Sequence, residues 1–198
     1  PRSTLFPYTT LFRSLVQRGL AGRSSLLIAP TGAGKTLAGF LPSLIELSAT
    51  AREGGPRRPH RLHTLYVSPL KALTTDVARN LGAPVREIGL PLRIESRTGD
   101  TPPHKRQRQR AYPPDMLLTT PEQLSLLIAS EHARVFFEDR RVVVIDEIPA
   151  LAPTKRGDLL ALALARLQRW APAHRRVGLS ATVADEAALV KWLVGNPP

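Results

Sequence analysis

The hydrophobic positions of the chain fall into short apolar runs separated by longer segments of mixed polarity. None of the short runs shows a clean two-residue alternation, so each is expected to be a strand buried on both faces. Strands alternating with helices in this way predict an α/β fold with a mostly parallel, doubly wound sheet and helices on both faces. The predicted strands are the run that begins at Ser25 and residues 62–67, 92–96, 115–119, 141–145 and 177–179; the predicted helices are residues 15–23, 156–170 and 185–194, two that end near Ala49 and Glu87, and one that starts at Pro121.

The run that begins at Ser25 leads into a loop ending in Gly34-Lys35-Thr36, and a helix-compatible stretch follows. In this order of strand, loop and helix, backbone N–H groups and the helix N-terminus point at one place, and both favour negative charge. Lys35 adds positive charge for the outer phosphates, and the Thr36 hydroxyl is a suitable Mg²⁺ ligand. Ala29 stands where the usual phosphate loop has its first glycine, and an ordinary glycine-rich turn is the alternative. The predicted triphosphate-binding residues are Thr31, Gly32, Ala33, Gly34, Lys35 and Thr36.

An acidic pair, Asp146-Glu147, follows the apolar run 141–145. The carboxyl end of a central strand opens at the crevice where α/β sheets bind ligands. Asp146 is therefore expected to hold Mg²⁺ beside Thr36, and Glu147 to orient and deprotonate the water that attacks the γ-phosphate. Lys35, Asp146 and Glu147 are the predicted catalytic residues, and Thr36 and Asp146 the predicted metal ligands. A solvated strand end is the alternative, and the phosphate loop earlier in the chain favours the metal site.

The composition describes one domain with a basic surface. The chain has 198 residues, 42% of them hydrophobic, and no apolar run of membrane-spanning length. Its formal net charge of +12 favours a polyanionic partner such as nucleic acid, although an arginine-rich genome would also raise this number. The absence of cysteine excludes disulfides and thiolate metal sites and suits the cytoplasm.

Six short segments then follow one another in an order typical of a known family: residues 29–36, 68–73, 97–100, 120–122, 146–149 and 180–182. The series resembles motifs I to III of the superfamily 2 helicases, with the Ia and Ib regions between them, and spans nearly everything from Gly22 to Trp192. Residues 118–124, 154–157 and 177–182 resemble the large helicase-related proteins, and are most like the bacterial ligase-associated DEXH-box helicases.

This resemblance implies a RecA-like P-loop NTPase domain, the first of two in a 3′-to-5′ ATP-dependent DNA helicase or translocase that acts in DNA repair. It implies ATP and Mg²⁺ as cofactors, and a single DNA strand, rather than RNA, as the partner. A DNA ligase and a phosphoesterase are implied as further partners, and no membrane. The residues implied to contact the strand backbone are Pro69, Lys71, Thr98, Gly99, Thr120 and Pro121, and those implied to couple the triphosphate pocket to the strand are Ser180 and Thr182.

The sequence departs from the family pattern in two places. Pro149 stands where family members have histidine, so a hydrogen bond from that position toward the Ser-Ala-Thr segment is lost and weaker coupling is expected. Tolerance of proline at a strand end is the alternative. Phe12 lies about where the family has an adenine-contacting glutamine, and Gln17 is too close to the loop to replace it. Residues 1–14 also read as a non-native leader, which leaves residues 15–198 as the helicase domain.

The chain ends shortly after motif III, so the second RecA-like domain implied by the resemblance lies outside it, and slow hydrolysis is expected because such domains supply arginine fingers. Two other functions stay open. The first is an ATPase-impaired nucleic-acid-binding module, and the second is a P-loop phosphotransferase, against which the Ser-Ala-Thr and Thr-Pro-Glu segments speak. The basic run 105–110 predicts a solvated helix face, with phosphate contact as the alternative.

Overall fold

The computed structural model describes residues 8–30, 32, 34–52, 61–182 and 184–195, and its strands lie where the apolar runs predict them. The strands are β1 (Ser25–Ile28), β2 (Thr64–Val67), β3 (Ile94–Arg97), β4 (Met116–Thr119), β5 (Val142–Ile145) and β6 (Arg175–Ser180). The helices are α1 (Tyr8–Leu20), α2 (Lys35–Arg52), α3 (Lys71–Glu87), α4 (Pro103–Ala111), α5 (Pro121–Ile128), α6 (Ala133–Phe137), α7 (Ile148–Leu151), α8 (Lys155–Trp170) and α9 (Glu186–Val194).

The strands form one sheet in the order β1-β6-β5-β2-β4-β3. Every neighbouring pair is parallel, so all the carboxyl ends meet at one edge. Strand β6 lies between β1 and β5, which places the end of β6 between the phosphate loop and the acidic pair. The predicted parallel α/β sheet is confirmed.

Each face of the sheet carries its own hydrophobic core. Val143 and Ile145 of β5 face a core built with α5 to α9, and Val142 and Val144 face a second core built with α1, α2 and α3. Side chains that alternate along a strand and are buried on both sides explain the absence of a polar alternation in the sequence. The helices on both faces are therefore also confirmed.

The structure adds elements that periodicity did not predict. Helices α6 and α7 have 5 and 4 residues, too short for a helical repeat to be visible. Helix α1 starts at Tyr8, before the predicted boundary at residue 15, and half-buried Phe12 packs against the second core. Residues 53–61 are rich in turn-forming and basic residues, which predicts a solvated loop, and residues 53–60 of it lie outside the described residues. Among the described helices, none is both long enough and apolar enough to cross a membrane.

Candidate functional site

The phosphate loop joins β1 to α2 at the carboxyl edge of the sheet. The Ala29 N–H donates to the Ser180 carbonyl at 3.1 Å, which extends the β1–β6 pairing by one residue. Ala29 is buried, so a small side chain suits the position where the usual loop has glycine. Gly32 and Gly34 have φ values of 80° and 76°, a backbone conformation that favours glycine. Thr31 and Ala33 lie outside the described residues.

Lys35 begins α2 and its side chain folds back over the loop. The ammonium Nζ donates to the Pro30 carbonyl at 2.9 Å, and the residue is only 7% exposed. A lysine held against its own loop has its ammonium group at the point where the loop and the helix N-terminus converge. This is the position that phosphate binding requires of it.

The acidic pair follows β5, and its first member reaches the phosphate loop. The Thr36 hydroxyl lies 3.4 Å from Asp146 Oδ2, although 110 residues separate the two in sequence. The Asp146 N–H donates to the Val67 carbonyl at 2.9 Å, and the residue is 2% exposed. A carboxylate and a hydroxyl at this separation suit Mg²⁺, which takes one or two protein oxygens together with substrate phosphates. No larger cluster of metal-ligating side chains occurs within the described residues.

Tyr66 is a site residue that the sequence analysis missed. It lies in β2, and its hydroxyl donates to Asp146 Oδ2 at 2.7 Å. Burial, followed by the nearby Asp146 charge, raises the pKa of Tyr66, so its hydroxyl stays protonated and remains a donor. The signal available in the sequence was a phenol in an otherwise apolar strand, because a buried tyrosine hydroxyl usually has a polar partner.

Glu147 adopts a left-handed conformation. With φ 50° and ψ 48°, it is the only non-glycine residue of positive φ in the part of the chain that the structure describes. Its N–H donates to Asp146 Oδ1 at 2.9 Å, so both Asp146 oxygens have donors. A non-glycine residue in this region costs roughly 1–2 kcal/mol, and strain of this kind is concentrated at functional sites.

Pro149 lies in the first turn of α7, directly after this bend. Helices leave the N–H groups of their first turn without intrahelical partners, so proline is favoured there. The geometry therefore agrees with tolerance of proline at this position. Whether coupling is weakened remains a prediction.

Ser180 is the last residue of β6, and Thr182 lies in the turn that follows this strand. Ser180 is fully buried, and its hydroxyl donates to the Thr182 carbonyl at 2.5 Å. Since β6 lies between β1 and β5, this turn lies between the phosphate loop and the acidic pair.

The residues implied to contact nucleic acid lie at the other half of the same edge. Pro69 and Lys71 follow β2, Thr98 and Gly99 follow β3, and Thr120 and Pro121 follow β4, and these three strands are neighbours. Lys71 pairs with Asp100, which ties the start of α3 to the turn after β3. In that turn, the Thr98 N–H donates to Thr101 Oγ1 at 2.9 Å. The six residues therefore form a rim along the ends of three neighbouring strands, next to the acidic pair that follows β5.

The basic run 105–110 forms most of α4, and two of its arginines are engaged within the fold. Arg106 donates to the carbonyls of Thr101 and Gly99 at 2.7 and 2.6 Å, so it closes the turn after β3. Arg108 pairs with Glu95 at 3.0 Å. Arg108 and Arg110 are exposed, as a solvated helix face requires, whereas Arg106 is half-buried and has a structural function that the sequence did not reveal.

Comparison with known proteins identifies the family. Residues 11–190 match the family model described as DEAD/DEAH box helicase. The chain belongs to the DEAD/DEAH box helicase family. It is 44% identical over 197 residues to the Lhr helicase/uracil glycosylase of Escherichia coli, a match that covers 90% of this chain and 12% of that protein. It is 39% identical over 203 residues to the ATP-dependent helicase Lhr-Core of Methanothermobacter thermautotrophicus, covering 98% of this chain and 23% of that protein.

A solved structure of the Mycobacterium smegmatis helicase Lhr, bound to ssDNA and AMP-PNP, has the same fold. It superimposes with a TM-score of 0.78 at 41% identity, over 96% of this chain and 26% of that one. The resemblance to superfamily 2 helicases and to the large helicase-related proteins is confirmed. This chain spans about an eighth to a quarter of the length of these relatives, so the activity of the whole protein is a matter for proposal.

Proposed function

We propose that the chain is the ATP-binding motor domain of an ATP-dependent DNA helicase or translocase. ATP and Mg²⁺ bind at the loop that joins β1 to α2, and hydrolysis drives movement along a single DNA strand at the neighbouring rim. The observation that supports this most strongly is the approach of the Thr36 hydroxyl to Asp146 at 3.4 Å. It brings the phosphate loop and the acidic pair together although 110 residues separate them in sequence, and this supports the proposal.

Each site residue has a separate role in this proposal. The loop N–H groups and Lys35 bind the phosphates, and Thr36 and Asp146 hold Mg²⁺, the second through a water. Mg²⁺ held by these residues would supply positive charge to the bound phosphates. Glu147 orients and deprotonates the attacking water, and Ser180 and Thr182 link the pocket to the strand. Residues 15–198 form a RecA-like domain in this proposal.

The rim after β2, β3 and β4 contacts the sugar-phosphate backbone. Small hydroxyl residues and helix N-termini bind phosphates without reading bases, which suits a motor that moves along any sequence. DNA is preferred to RNA here because the Mycobacterium smegmatis relative binds ssDNA. Action in DNA repair, a ligase-associated subtype with ligase and phosphoesterase partners, and a cytoplasmic location belong to the same proposal.

The test is Mg²⁺-dependent nucleotide binding by the 198-residue chain. A fluorescent ATP analogue is titrated with Mg²⁺ present and with EDTA, for the natural sequence and for Asp146→Asn and Thr36→Val. Each variant is expected to lose about tenfold or more in affinity with Mg²⁺, equivalent to about 1.4 kcal/mol, and little in EDTA. Thr50→Val, at an exposed threonine of the same helix, is the matched control.

Equal affinities in Mg²⁺ and EDTA for the natural sequence would contradict the proposal. Glu147→Gln separates binding from chemistry: nucleotide affinity stays within about twofold, while ssDNA-stimulated hydrolysis by the longer protein falls by about 100-fold or more, the range for loss of a general base. If ssDNA binding persists and no ATP is hydrolysed even with Glu147 intact, the ATPase-impaired nucleic-acid-binding module replaces the motor. The observation that favours this second candidate is Pro149, which stands where family members have histidine.

A further inference from the structure

Arg156, in the first turn of α8, contacts two separate segments at the rim. Its Nε donates to Glu122 Oε1 at 2.5 Å and its Nη2 to Glu122 Oε2 at 3.2 Å. The same Nη2 donates to the Pro69 carbonyl at 2.8 Å. One guanidinium thus bridges the segment after β2 and the first turn of α5, which lie 87 and 34 residues away in sequence.

The start of α8 is itself held firmly. The Thr154 hydroxyl caps the helix by accepting from the Gly157 N–H at 3.2 Å. A Cβ at Gly157 would lie 2.1 Å from the Leu151 carbonyl oxygen, so the helix packs against α7 at a distance that only glycine permits. Arg156 therefore projects from a fixed point, and its planar fork can hold two other segments in register.

Charge also favours this bridge. Partial burial alone would raise the pKa of the Glu122 carboxyl, but hydrogen bonds led by those from Arg156 hold that pKa below its ordinary value. Glu122 is therefore ionised and paired at neutral pH. Both side chains are more than two-fifths exposed, and ion pairs in such positions add little to stability. The bridge is therefore expected to fix the relative positions of the two segments that it joins.

The two segments joined by Arg156 are both implied to contact the DNA backbone. Pro69 is itself one such residue, and Glu122 directly follows Thr120 and Pro121. We infer that Arg156 is a positioning residue that fixes the spacing between these two phosphate-contacting segments, without touching the DNA itself. The inference rests on the proposed function, because it needs the rim to bind a strand. It gives a role to residues 154–157, which the sequence analysis singled out only as a family resemblance.

The test compares three single substitutions in the 198-residue chain. Binding to a fluorescein-labelled oligothymidylate of about 20 nucleotides is followed by anisotropy over a series of salt concentrations. Arg156→Gln breaks the bridge from one side and Glu122→Gln from the other. Lys155→Gln removes one positive charge from the same exposed helix turn and leaves the bridge intact.

Arg156→Gln is expected to weaken DNA binding by about five- to tenfold, the effect of losing a charged hydrogen-bonding group. Glu122→Gln should also weaken binding, although it removes a negative charge that repels DNA. Lys155→Gln should change affinity by less than about twofold at moderate salt. Nucleotide affinity with Mg²⁺ and the melting temperature should match the natural sequence in all three variants.

Each of the following results would overturn the inference. If Glu122→Gln binds DNA as tightly as the natural sequence, or more tightly, the bridge has no positioning function. If Arg156→Gln lowers the slope of log affinity against log salt by about 0.7, Arg156 contacts a phosphate directly. If the natural sequence does not bind the oligonucleotide yet binds Mg²⁺-nucleotide, the nucleic-acid part of the proposed function fails and takes the inference with it. If the natural sequence binds and all variants match it, only the inference fails.

Discussion

Charged side chains are buried at both edges of the sheet, but their hydrogen-bond partners differ between the carboxyl edge and the amino edge. At the carboxyl edge, Lys35 and Asp146 are buried at the candidate nucleotide site, and Arg97 is buried at the end of β3. At the amino edge, the buried charges are Arg140, Arg175 and Arg176, placed just before or at the start of β5 and β6. Asp146 is held by single donors from Tyr66, Thr36 and the Glu147 N–H, all at the crevice where a ligand would enter.

At the amino edge, the arginines are mostly engaged with the protein itself. Arg176 donates to the carbonyls of Leu193, in the last turn of α9, and Leu164, within α8, and Arg140 donates to the Leu167 carbonyl in the last turn of α8. Cations are favoured near helix C-termini. Arg175 forms a bidentate ion pair with Glu46: Nη1 donates to Oε1 at 2.8 Å and Nη2 to Oε2 at 2.9 Å. Lys35 and Asp146 therefore mark a candidate ligand site at the carboxyl edge, whereas the buried arginines of the amino edge bind helix carbonyls and Glu46.

This difference changes how the net charge of +12 should be interpreted. Arg97, Arg140, Arg175 and Arg176 are buried, so part of the positive charge serves the fold and is not presented to a polyanion. The residues implied to contact DNA are mostly uncharged, and the one lysine among them is paired with Asp100. The placement of the rim supports nucleic-acid binding more directly than the total charge does.

The largest expected effect on stability concerns α8. Its first turn lies at the carboxyl edge, and carbonyls in its later turns accept hydrogen bonds from the amino-edge arginines. Gly157→Ala would place a methyl group 2.1 Å from the Leu151 carbonyl oxygen, which is backbone and cannot rotate away. We expect a loss of folding free energy at the upper end of about 1–3 kcal/mol. Urea unfolding measures it, with Gly99→Ala as the control, because a Cβ at Gly99 meets no atom within 4 Å. Equal unfolding midpoints would show that α7 and α8 can separate at no cost.

The next prediction tests the amino edge through pH. Burial, followed by the charge of Arg140, lowers the pKa of His174 to about 3. Its Nε2 accepts from Arg176 Nε at 3.1 Å, which requires a neutral ring. Because the folded pKa lies below the unfolded value of about 6.5, stability is complete above pH 6.5 and falls as pH drops toward 3.

The expected slope from His174 is about 1.4 kcal/mol per pH unit across this window. His174→Gln, which retains a donor and an acceptor without titrating, should remove that slope between pH 6 and pH 5 in urea unfolding. Arg140→Met should raise the folded pKa of His174, so the loss should still begin near pH 6.5 but end at a higher pH and be smaller in total. A slope unchanged in His174→Gln would mean that other groups govern acid stability.

The sequence predicted the carboxyl edge far better than the amino edge, for a physical reason. The meeting of Thr36 with Asp146 follows from two local motifs and one topological rule, that parallel strands end together. The amino-edge contacts join side chains to carbonyls of distant helices, and no local spacing encodes such partners. The same holds for Tyr66 and for the bridge made by Arg156. The start of β6 at Arg175 was missed because two arginines conceal a buried strand.

The smallest expected effect belongs to Tyr66, and it tests whether the carboxyl edge is organised for a ligand as well as for stability. Tyr66→Phe keeps the ring stacked on Phe40 at 5.3 Å and removes only the hydroxyl that bonds Asp146 Oδ2. If Asp146 is oriented for Mg²⁺, its side chain then has more freedom, and the Mg²⁺ concentration needed for half-maximal nucleotide binding should rise by about threefold, less than a full hydrogen bond is worth. Nucleotide affinity in EDTA should not change. A variant that loses stability but keeps its Mg²⁺ requirement would show that the Tyr66 hydroxyl only stabilises the buried Asp146 charge and does not orient it for a ligand.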